Sequence, residues 1–273
     1  MNVAQALVAG AGVGLERLDA QLLLLHVLGR EQTDRAWLLA HDTDPLTPQQ
    51  QAAFAGLCGR RAGGEPLAYI VGRKEFFGLD LMVDARVLVP RPDTETLVEW
   101  ALELAGDRSV VVDLGTGSGA VALAIKKRRP DATVEALDTS AAALAVATAN
   151  AQALGLDVKF RQSSWLDATE TRYDLIVSNP PYVAEDDPHL DALQAEPLTA
   201  LAAGPDGLRD IRTIVSQAPG HLRRGGWLLL EHGHDQGAAV RELLIAAGFR
   251  AVASRPDLAG IERCSGGQWL ELG

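Results

Sequence analysis

The chain has 273 residues, of which 47% are hydrophobic and 22% are charged, and these are ordinary proportions for a globular protein. They exclude a collagen-like, coiled-coil or largely disordered chain, and the length allows one large domain or two modest ones. The 25 Lys and Arg residues against 36 Asp and Glu give a net charge of −11, which disfavours stable binding to the phosphate backbone of a nucleic acid.

Residues 1–75 form the first predicted domain, a small helical bundle. The leucines of one predicted helix face recur every three or four positions: Leu15, Leu18, Leu22, Leu25 and Leu28. Thr47, Pro48 and Gln50 combine a capping box with a proline at the first helical position, which predicts a further helix that ends at Gly63. Basic and acidic residues nearly balance in this domain, 7 against 8, so a protein partner can dock there without strong repulsion.

A β-hairpin linker is predicted at residues 76–92, where short β-prone runs alternate with Gly and Asp. A further β-prone run stands just before the linker, at residues 69–71. Residues 90–92 close the linker, and Asp93 with Thr94 can cap a helix predicted at 94–105.

Residues 93–273 form the predicted catalytic domain. From residue 109, apolar strands alternate with helices, which is typical of a parallel sheet covered by helices on both faces. The predicted strands are 109–114, 133–137, 158–161, 174–178, 227–231, 249–254 and 268–272. The predicted helices are 119–128, 141–154, 211–222 and 238–247. The Gly266-Gly267-Gln268 segment is expected to form the turn between the last two strands.

A glycine-rich loop at residues 115–119 follows one predicted strand and opens a helix. Its glycines let the backbone turn sharply and approach a ligand closely. Asp138 ends the next strand, where a Rossmann-like site places a carboxylate on ribose hydroxyls. The GxGxG spacing, and a preceding Asp113 that would repel a phosphate, favour a nucleoside that carries a cationic group instead. S-adenosylmethionine, with an adenosine, a sulfonium and an ammonium, fits this description.

An Asn-Pro-Pro-Tyr motif at residues 179–182 follows the strand predicted at 174–178. Two prolines make a stiff turn at the carboxyl end of a strand, where open α/β sheets bind ligands. The Asn179 side-chain oxygen and the Pro180 carbonyl can accept both N–H bonds of a planar –NH₂ group, and Tyr182 can pack against it. These acceptors would stabilise the positive charge that the nitrogen gains during methyl transfer. The motif predicts amino-group methylation without a metal.

The sequence resembles the HemK/PrmC family, whose members are protein-(glutamine-N5) methyltransferases that act on peptide chain release factors. The resemblance covers essentially the whole chain. Its motifs are PRPDTE at 90–95, the glycine loop, Ser164-Trp165, SNPPY at 178–182, EPLTAL at 196–201 and LLEHG at 229–233. The Asn-Pro-Pro-Tyr motif alone is shared by amino methyltransferases of DNA, RNA and protein, so the combination is the more specific signal.

The resemblance implies a role for each matching residue. The residues implied to bind S-adenosylmethionine are Gly115, Thr116, Gly117, Ser118, Gly119, Asp138, Trp165 and Asn179. Those implied to hold the acceptor glutamine are Asn179, Pro180, Pro181 and Tyr182, of which Asn179, Pro180 and Tyr182 are the implied catalytic residues. The glutamine belongs to a Gly-Gly-Gln loop of the release factor, and the helical domain is implied to recognise that partner. One departure is Gln194-Ala195, where family members often carry a basic-aromatic pair.

The predicted fold is therefore an α/β Rossmann-like methyltransferase sheet with an N-terminal helical bundle and a hairpin linker. The predicted reaction forms N5-methylglutamine and S-adenosylhomocysteine. Two alternatives stay open: an amino methyltransferase of a nucleic-acid base, of the adenine N6 type, and a non-catalytic module that uses S-adenosylmethionine as a structural ligand to clamp a ribosomal partner. The acidity of the catalytic domain weighs against the first.

The two cysteines, Cys58 and Cys264, form no CxxC pair, which favours a reducing compartment and no structural zinc. No apolar run approaches the ~20 residues that a membrane span needs, and no signal peptide begins the chain. We therefore expect a cytoplasmic monomer without metal, membrane contact or stably bound nucleic acid.

Overall fold

The structure, a computed structural model, describes residues 1–193 and 195–270, and the chain forms two compact units, Met1–Arg73 and Lys74–Gly273. Within the described ranges, no helix is both long and apolar enough to cross a membrane.

The first unit is a helical bundle. Its helices are α1 (Val3–Gly12), α2 (Arg17–Val27), α3 (Arg35–Ala40), α4 (Pro48–Ala62) and α5 (Leu67–Val71). Helix α4 begins with the predicted capping box, since Thr47 and Gln50 each accept a hydrogen bond from the other's backbone N–H. The segment at 69–71, predicted to be β-prone, is instead part of α5. Pro66 precedes this helix and Gly72, at φ +74°, ends it in the left-handed conformation.

The buried face of α2 differs from the predicted one. Leu18 was expected to face the core, but it is 46% exposed, whereas Leu23 and Leu24 are completely buried. The buried face of α2 is rotated by about one residue from the predicted row of leucines. It is also wider than that row, because α2 packs against both α1 and α4.

The second unit begins at a hairpin and continues into a mixed sheet. The hairpin strands are β1 (Arg73–Phe76) and β2 (Leu79–Met82), so the hairpin starts before the predicted linker. The strands of the sheet are β3 (Val110–Leu114), β4 (Thr133–Asp138), β5 (Lys159–Gln162), β6 (Tyr173–Ser178), β7 (Leu222–Glu231), β8 (Arg250–Pro256) and β9 (Glu262–Gln268). The helices are α6 (Glu95–Leu104), α7 (Ala120–Arg128), α8 (Ala141–Leu154), α9 (Arg209–His221) and α10 (Gly237–Ala246). Short 3₁₀ turns span Pro92–Thr94, Pro188–Leu193 and Leu198–Ala200.

The sheet order in the described part of the chain is β5-β4-β3-β6-β7-β9-β8. Strands β3 to β7 pair in parallel, and β9 runs antiparallel to both of its neighbours. Apolar side chains of the central strands enter cores on both faces, as the unbroken apolar runs predict. Because β4 and β6 flank β3, the loops that follow these three strands meet at one edge of the sheet.

The last strand was wrongly placed by the sequence analysis. Gly266 and Gly267 lie inside β9 and do not form a turn. A Cβ atom at Gly266 would lie 2.4 Å from Leu229 Cδ2 and 2.7 Å from the Leu228 carbonyl oxygen, so these glycines permit close packing between strands. The turn lies earlier, where the Asp257 carboxylate accepts backbone hydrogen bonds from residues 259 and 261. Residues 271 and 272 of the predicted strand lie outside the described residues.

Candidate cofactor and substrate site

The glycine loop after β3 is held by a carboxylate from the neighbouring strand. Gly115 and Gly117 have φ values of +70° and +56°, which side chains rarely tolerate. Asp138, at the end of β4, accepts hydrogen bonds from the backbone N–H groups of Gly117 at 2.9 Å and of Ser140 at 2.8 Å. Asp138 therefore fixes the loop as well as presenting a carboxylate at its rim.

Asp113 also holds this loop in place, a role that the sequence analysis did not assign. Its buried carboxylate accepts a 2.6 Å hydrogen bond from the Thr116 hydroxyl and a 3.2 Å bond from the backbone of Ala122. Burial raises the pKa of Asp113 to about 6, and these two hydrogen bonds oppose the rise. The sequence contained a signal for this role, because Asp113 is an acidic residue near the end of a strand and stands three residues before the hydroxyl of Thr116.

A cavity of about 500 Å³ opens at this edge of the sheet, within the range usual for small-molecule sites. The predicted residues that line it are Gly115, Gly117, Asp138, Trp165, Asn179 and Pro181. Trp165 adopts φ +48°, a conformation that costs a non-glycine residue roughly 1–2 kcal/mol. A Cβ atom at Gly115 would lie 3.4 Å from the Trp165 ring, so the glycine keeps the ring close to the loop.

The remaining predicted loop residues lie outside the lining of this cavity. Thr116 and Ser118 are buried and line a smaller cavity of about 50 Å³. Gly119 is the N-cap of α7 and has a φ of +84°; a Cβ atom there would lie 3.0 Å from Leu123 and 3.2 Å from Ala147. These three residues therefore shape the loop and seat it against the helices.

The Asn-Pro-Pro-Tyr motif starts directly after β6. The Ser178 hydroxyl donates a 2.7 Å hydrogen bond to a β3 carbonyl and so ties the motif to the central strand. The Asn179 side-chain N–H donates to the Thr94 hydroxyl at 3.2 Å, and the Tyr182 hydroxyl donates to the Glu231 carboxylate at 3.3 Å. Sequence reasoning missed Thr94 and Glu231 as neighbours of the motif, although both stand in segments that carried the resemblance.

Burial also changes the electrostatics of this motif. It raises the pKa of Glu231 to about 7, with nearby Asp93 adding to the rise, while Arg263 and two hydroxyl hydrogen bonds lower it. Burial likewise raises the pKa of Tyr182 well above its usual value. Near neutral pH the site therefore carries less negative charge than its acidic residues suggest.

A buried glutamate joins two motifs beside the cavity. Glu196 accepts a 3.0 Å hydrogen bond from the backbone of Val89 and pairs with the guanidinium of Arg91. Leu88 and Pro197, next to these residues, line the cavity. The sequence departure at Gln194 lies outside the described residues, so the structure gives no account of it.

Comparisons with known proteins match this architecture over both units. Residues 1–72 match the PrmC N-terminal domain and residues 93–204 match the methyltransferase small domain. A release factor glutamine methyltransferase of Xylella fastidiosa is 51% identical over 269 residues, which cover 96% of this chain and 97% of that protein. The chain belongs to the release factor glutamine methyltransferase family.

Solved structures confirm the predicted methyltransferase fold. A methyltransferase from Pyrococcus furiosus superposes with a TM-score of 0.56 at 20% identity, covering 78% of this chain and 98% of that one. An rRNA methyltransferase from T. Thermophilus, solved with AdoMet and guanosine, has a TM-score of 0.52 at 21% identity and covers 72% of this chain and 49% of that one. The chain is an enzyme whose methyl donor is S-adenosylmethionine.

Proposed function

We propose that the enzyme transfers the methyl group of S-adenosylmethionine to the side-chain amide nitrogen of a glutamine in peptide chain release factors. The near-full-length likeness to proteins of that name supports this substrate. Within the structure, the single observation that carries the proposal is the placement of Asn179. Asn179 lines the cavity, and its side-chain N–H group donates a hydrogen bond to Thr94.

The cavity suits the cofactor. The backbone at Gly115 and Gly117 leaves room where a side chain would intrude, Asp138 offers a carboxylate to ribose hydroxyls, and Trp165 offers an apolar face to adenine. Once bound, S-adenosylmethionine supplies an electrophilic methyl group. A carboxylate that binds hydroxyls suits the ribose of this nucleoside, and the two arginines that line the cavity, Arg86 and Arg209, each pair with an acidic residue.

The acceptor chemistry falls to residues 179–182. An amide nitrogen is a poor nucleophile because its lone pair is delocalised into the carbonyl group. With its N–H engaged by Thr94, Asn179 has its side-chain oxygen left to accept an N–H bond from the glutamine amide. The Pro180 carbonyl would accept the second. Acceptors fixed in this way stabilise the charge that develops on nitrogen more than they stabilise the ground state.

The finer assignments follow from charge and composition. We infer that residues 1–75 recognise the release factor, because that part of the chain is nearly neutral whereas the catalytic part is strongly acidic. The same acidity argues against stable binding of nucleic acid and against methylation of its bases. We also propose a monomer that works in the cytoplasm, in keeping with a substrate of the translation machinery and with two free, buried cysteines.

The Asn179→Ala variant tests the site. We expect methyl transfer to a release factor to fall by about 100-fold or more, while cofactor affinity measured by calorimetry stays within a few-fold of wild type. Near-normal turnover would contradict the role of Asn179. Parallel reactions with labelled cofactor and nucleic acid test the alternative substrate, which requires label to appear on the nucleic acid.

A further inference from the structure

We propose that Gln236 is a positioning residue for the acceptor side of the site. Its side-chain amide joins the end of the Asn-Pro-Pro-Tyr motif to Asp206, and the stretch of chain between these two points carries one wall of the cavity. This acceptor wall, residues 197–202, lines the cavity through Pro197, Leu198, Thr199, Ala200 and Ala202. The inference rests on the proposed function, because it assigns Gln236 to the same methyl transfer.

The Gln236 side chain bridges three backbone groups. Its Oε1 accepts a hydrogen bond from the Gly233 N–H at 2.8 Å. Its Nε2 donates to the Tyr182 carbonyl at 3.0 Å and to the Asp206 carbonyl at 3.2 Å. A backbone N–H can only donate and a carbonyl can only accept, so all three partners require the same orientation of the amide. Both hydrogens on Nε2 are used, one for each carbonyl.

Gly207 provides the space in which this junction forms. It is buried and has a φ of +69°. A Cβ atom there would lie 2.2 Å from the Tyr182 carbonyl oxygen and 2.7 Å from Gln236 Nε2. Any side chain at this position would therefore displace the carbonyl or the amide, and the glycine lets the two meet.

The position of the Tyr182 carbonyl is passed on to the acceptor wall by the next residue. The Val183 N–H donates to the Leu201 carbonyl, and the Val183 carbonyl accepts from the Ala203 N–H, both at 2.9 Å. Val183 and Ala202 thus form a parallel bridge. On the other side of Tyr182, two prolines stiffen the connection to Asn179. A shift of Tyr182 would therefore move the wall relative to the groups that hold the acceptor amide.

The cofactor side of the cavity is built on other strands. Gly115 and Gly117 follow β3, Asp138 ends β4 and Trp165 follows β5. The hydrogen bond from Gly117 to Asp138 holds this side together by itself. Loss of the Gln236 hydrogen bonds should therefore disturb the acceptor side and leave cofactor binding intact.

A purely structural role would concern α10, because Gln236 immediately precedes that helix. The side chain of Gln236 does not cap α10, a helix that the structure describes in full. A helix N-terminus favours negative charge, so glutamate would serve a structural role there at least as well. Glutamate keeps an acceptor for Gly233, but when ionised it cannot donate to the two carbonyls. The two roles therefore predict opposite results for Gln236→Glu.

Two substitutions of Gln236 test the proposal. Gln236→Met keeps the length of the side chain and removes its donor and acceptor, whereas Gln236→Glu removes the donor alone. We expect both to lower kcat/KM for the release factor by roughly ten- to a hundredfold, with cofactor affinity changed less than about threefold. Part of the loss should be a raised KM for the release factor, which a smaller folded fraction would not produce. The same two substitutions at Gln152, an exposed residue of α8, are the matched controls.

Substitution of Gly207 tests the same junction from the other side. Gly207→Ala should also lower kcat/KM for the release factor without weakening cofactor binding. Gly204 has a similar φ of +77°, but the nearest atom to its Cβ would be Arg209 Cβ at 3.4 Å. Gly204→Ala therefore introduces similar backbone strain without the clash and should stay within about threefold of wild type. Because both changes break one junction, the Gly207→Ala/Gln236→Met double variant should be no slower than the slower single variant.

The outcomes separate this proposal from the proposed function. A wild-type chain that labels no release factor overturns the function, and the positioning role with it. An active wild-type chain with Gln236→Met within about threefold overturns the positioning role alone. Wild-type activity in Gln236→Glu would reduce Gln236 to a structural residue of α10. A loss of cofactor affinity as large as the loss of activity would also contradict the proposal, since it would show general damage to the fold.

Discussion

Replacing Glu231 by glutamine is expected to stabilise the protein, and increasingly so as the pH rises. The carboxyl has a pKa of about 7 when folded, because burial disfavours its charge, against 4.5 as its ordinary value. Below pH 4.5 it is protonated in both the folded and the unfolded states and has no net effect. As the pH rises towards 7, the unfolded chain loses the proton first, so wild-type stability declines across this interval and then levels off. Glutamine cannot ionise and escapes this penalty.

The size of the effect follows from the two pKa values. Linkage gives a penalty of about 1.4 kcal/mol at pH 5.5 and about 3.3 kcal/mol at pH 8. The hydrogen bonds that glutamine changes shift the stability of the variant by a similar amount at both pH values. The stability gap between Glu231→Gln and wild type should therefore widen by about 2 kcal/mol from pH 5.5 to pH 8.

Urea unfolding followed by circular dichroism measures this gap. Glu242→Gln, on the exposed side of α10, removes the same charge without removing a buried carboxylate and should show no such widening. A gap that is constant between the two pH values, or that narrows, would refute the claim that Glu231 is buried with a raised pKa.

The remaining predictions concern glycines. Gly117→Val should abolish cofactor binding in calorimetry. Gly155 has a similar φ of +64° but lies outside the cavity, so Gly155→Val should lose stability and still bind the cofactor. Equal cofactor affinities of the two variants would contradict the assignment of the glycine loop. Gly266→Ala should destabilise the protein by about 1–3 kcal/mol in urea unfolding, because its Cβ would meet a backbone oxygen at 2.7 Å. Gly220 is a helical glycine with open space around it, so Gly220→Ala should not destabilise the protein. If Gly266→Ala is as stable as wild type, β9 can shift to make room for the Cβ atom.

Local pattern was sufficient to predict the framework of the catalytic unit. Unbroken apolar runs predicted the central strands, and the limits of α8 agree with the prediction, because Ser140 caps its start and Gly155 its end. Motif position also predicted that the glycine loop, Asp138 and Asn179 would meet, since parallel strands present their carboxyl ends at one edge.

The features that were missed depend on contacts between distant segments. The glycines of β9 resemble a turn in the sequence, but in the structure Leu228 and Leu229 of the neighbouring strand fill the space beside Gly266, and Phe249 and Val252 fill the space beside Gly267. Thr94 and Glu231 belong to segments far apart in sequence. The pairing of β6 with β7 brings Glu231 beside Asn179, and the turn before α6 brings Thr94 there. A single sequence does not specify which strands become neighbours, so these interactions could not be predicted.

The central claim is that the enzyme methylates a release-factor glutamine, and mass spectrometry of the product tests it most directly. A release factor incubated with the enzyme and S-adenosylmethionine should gain one methyl group on the glutamine of its Gly-Gly-Gln loop. The same factor with that glutamine replaced by alanine should gain none. Methylation of both factors alike, or of neither, would contradict the account.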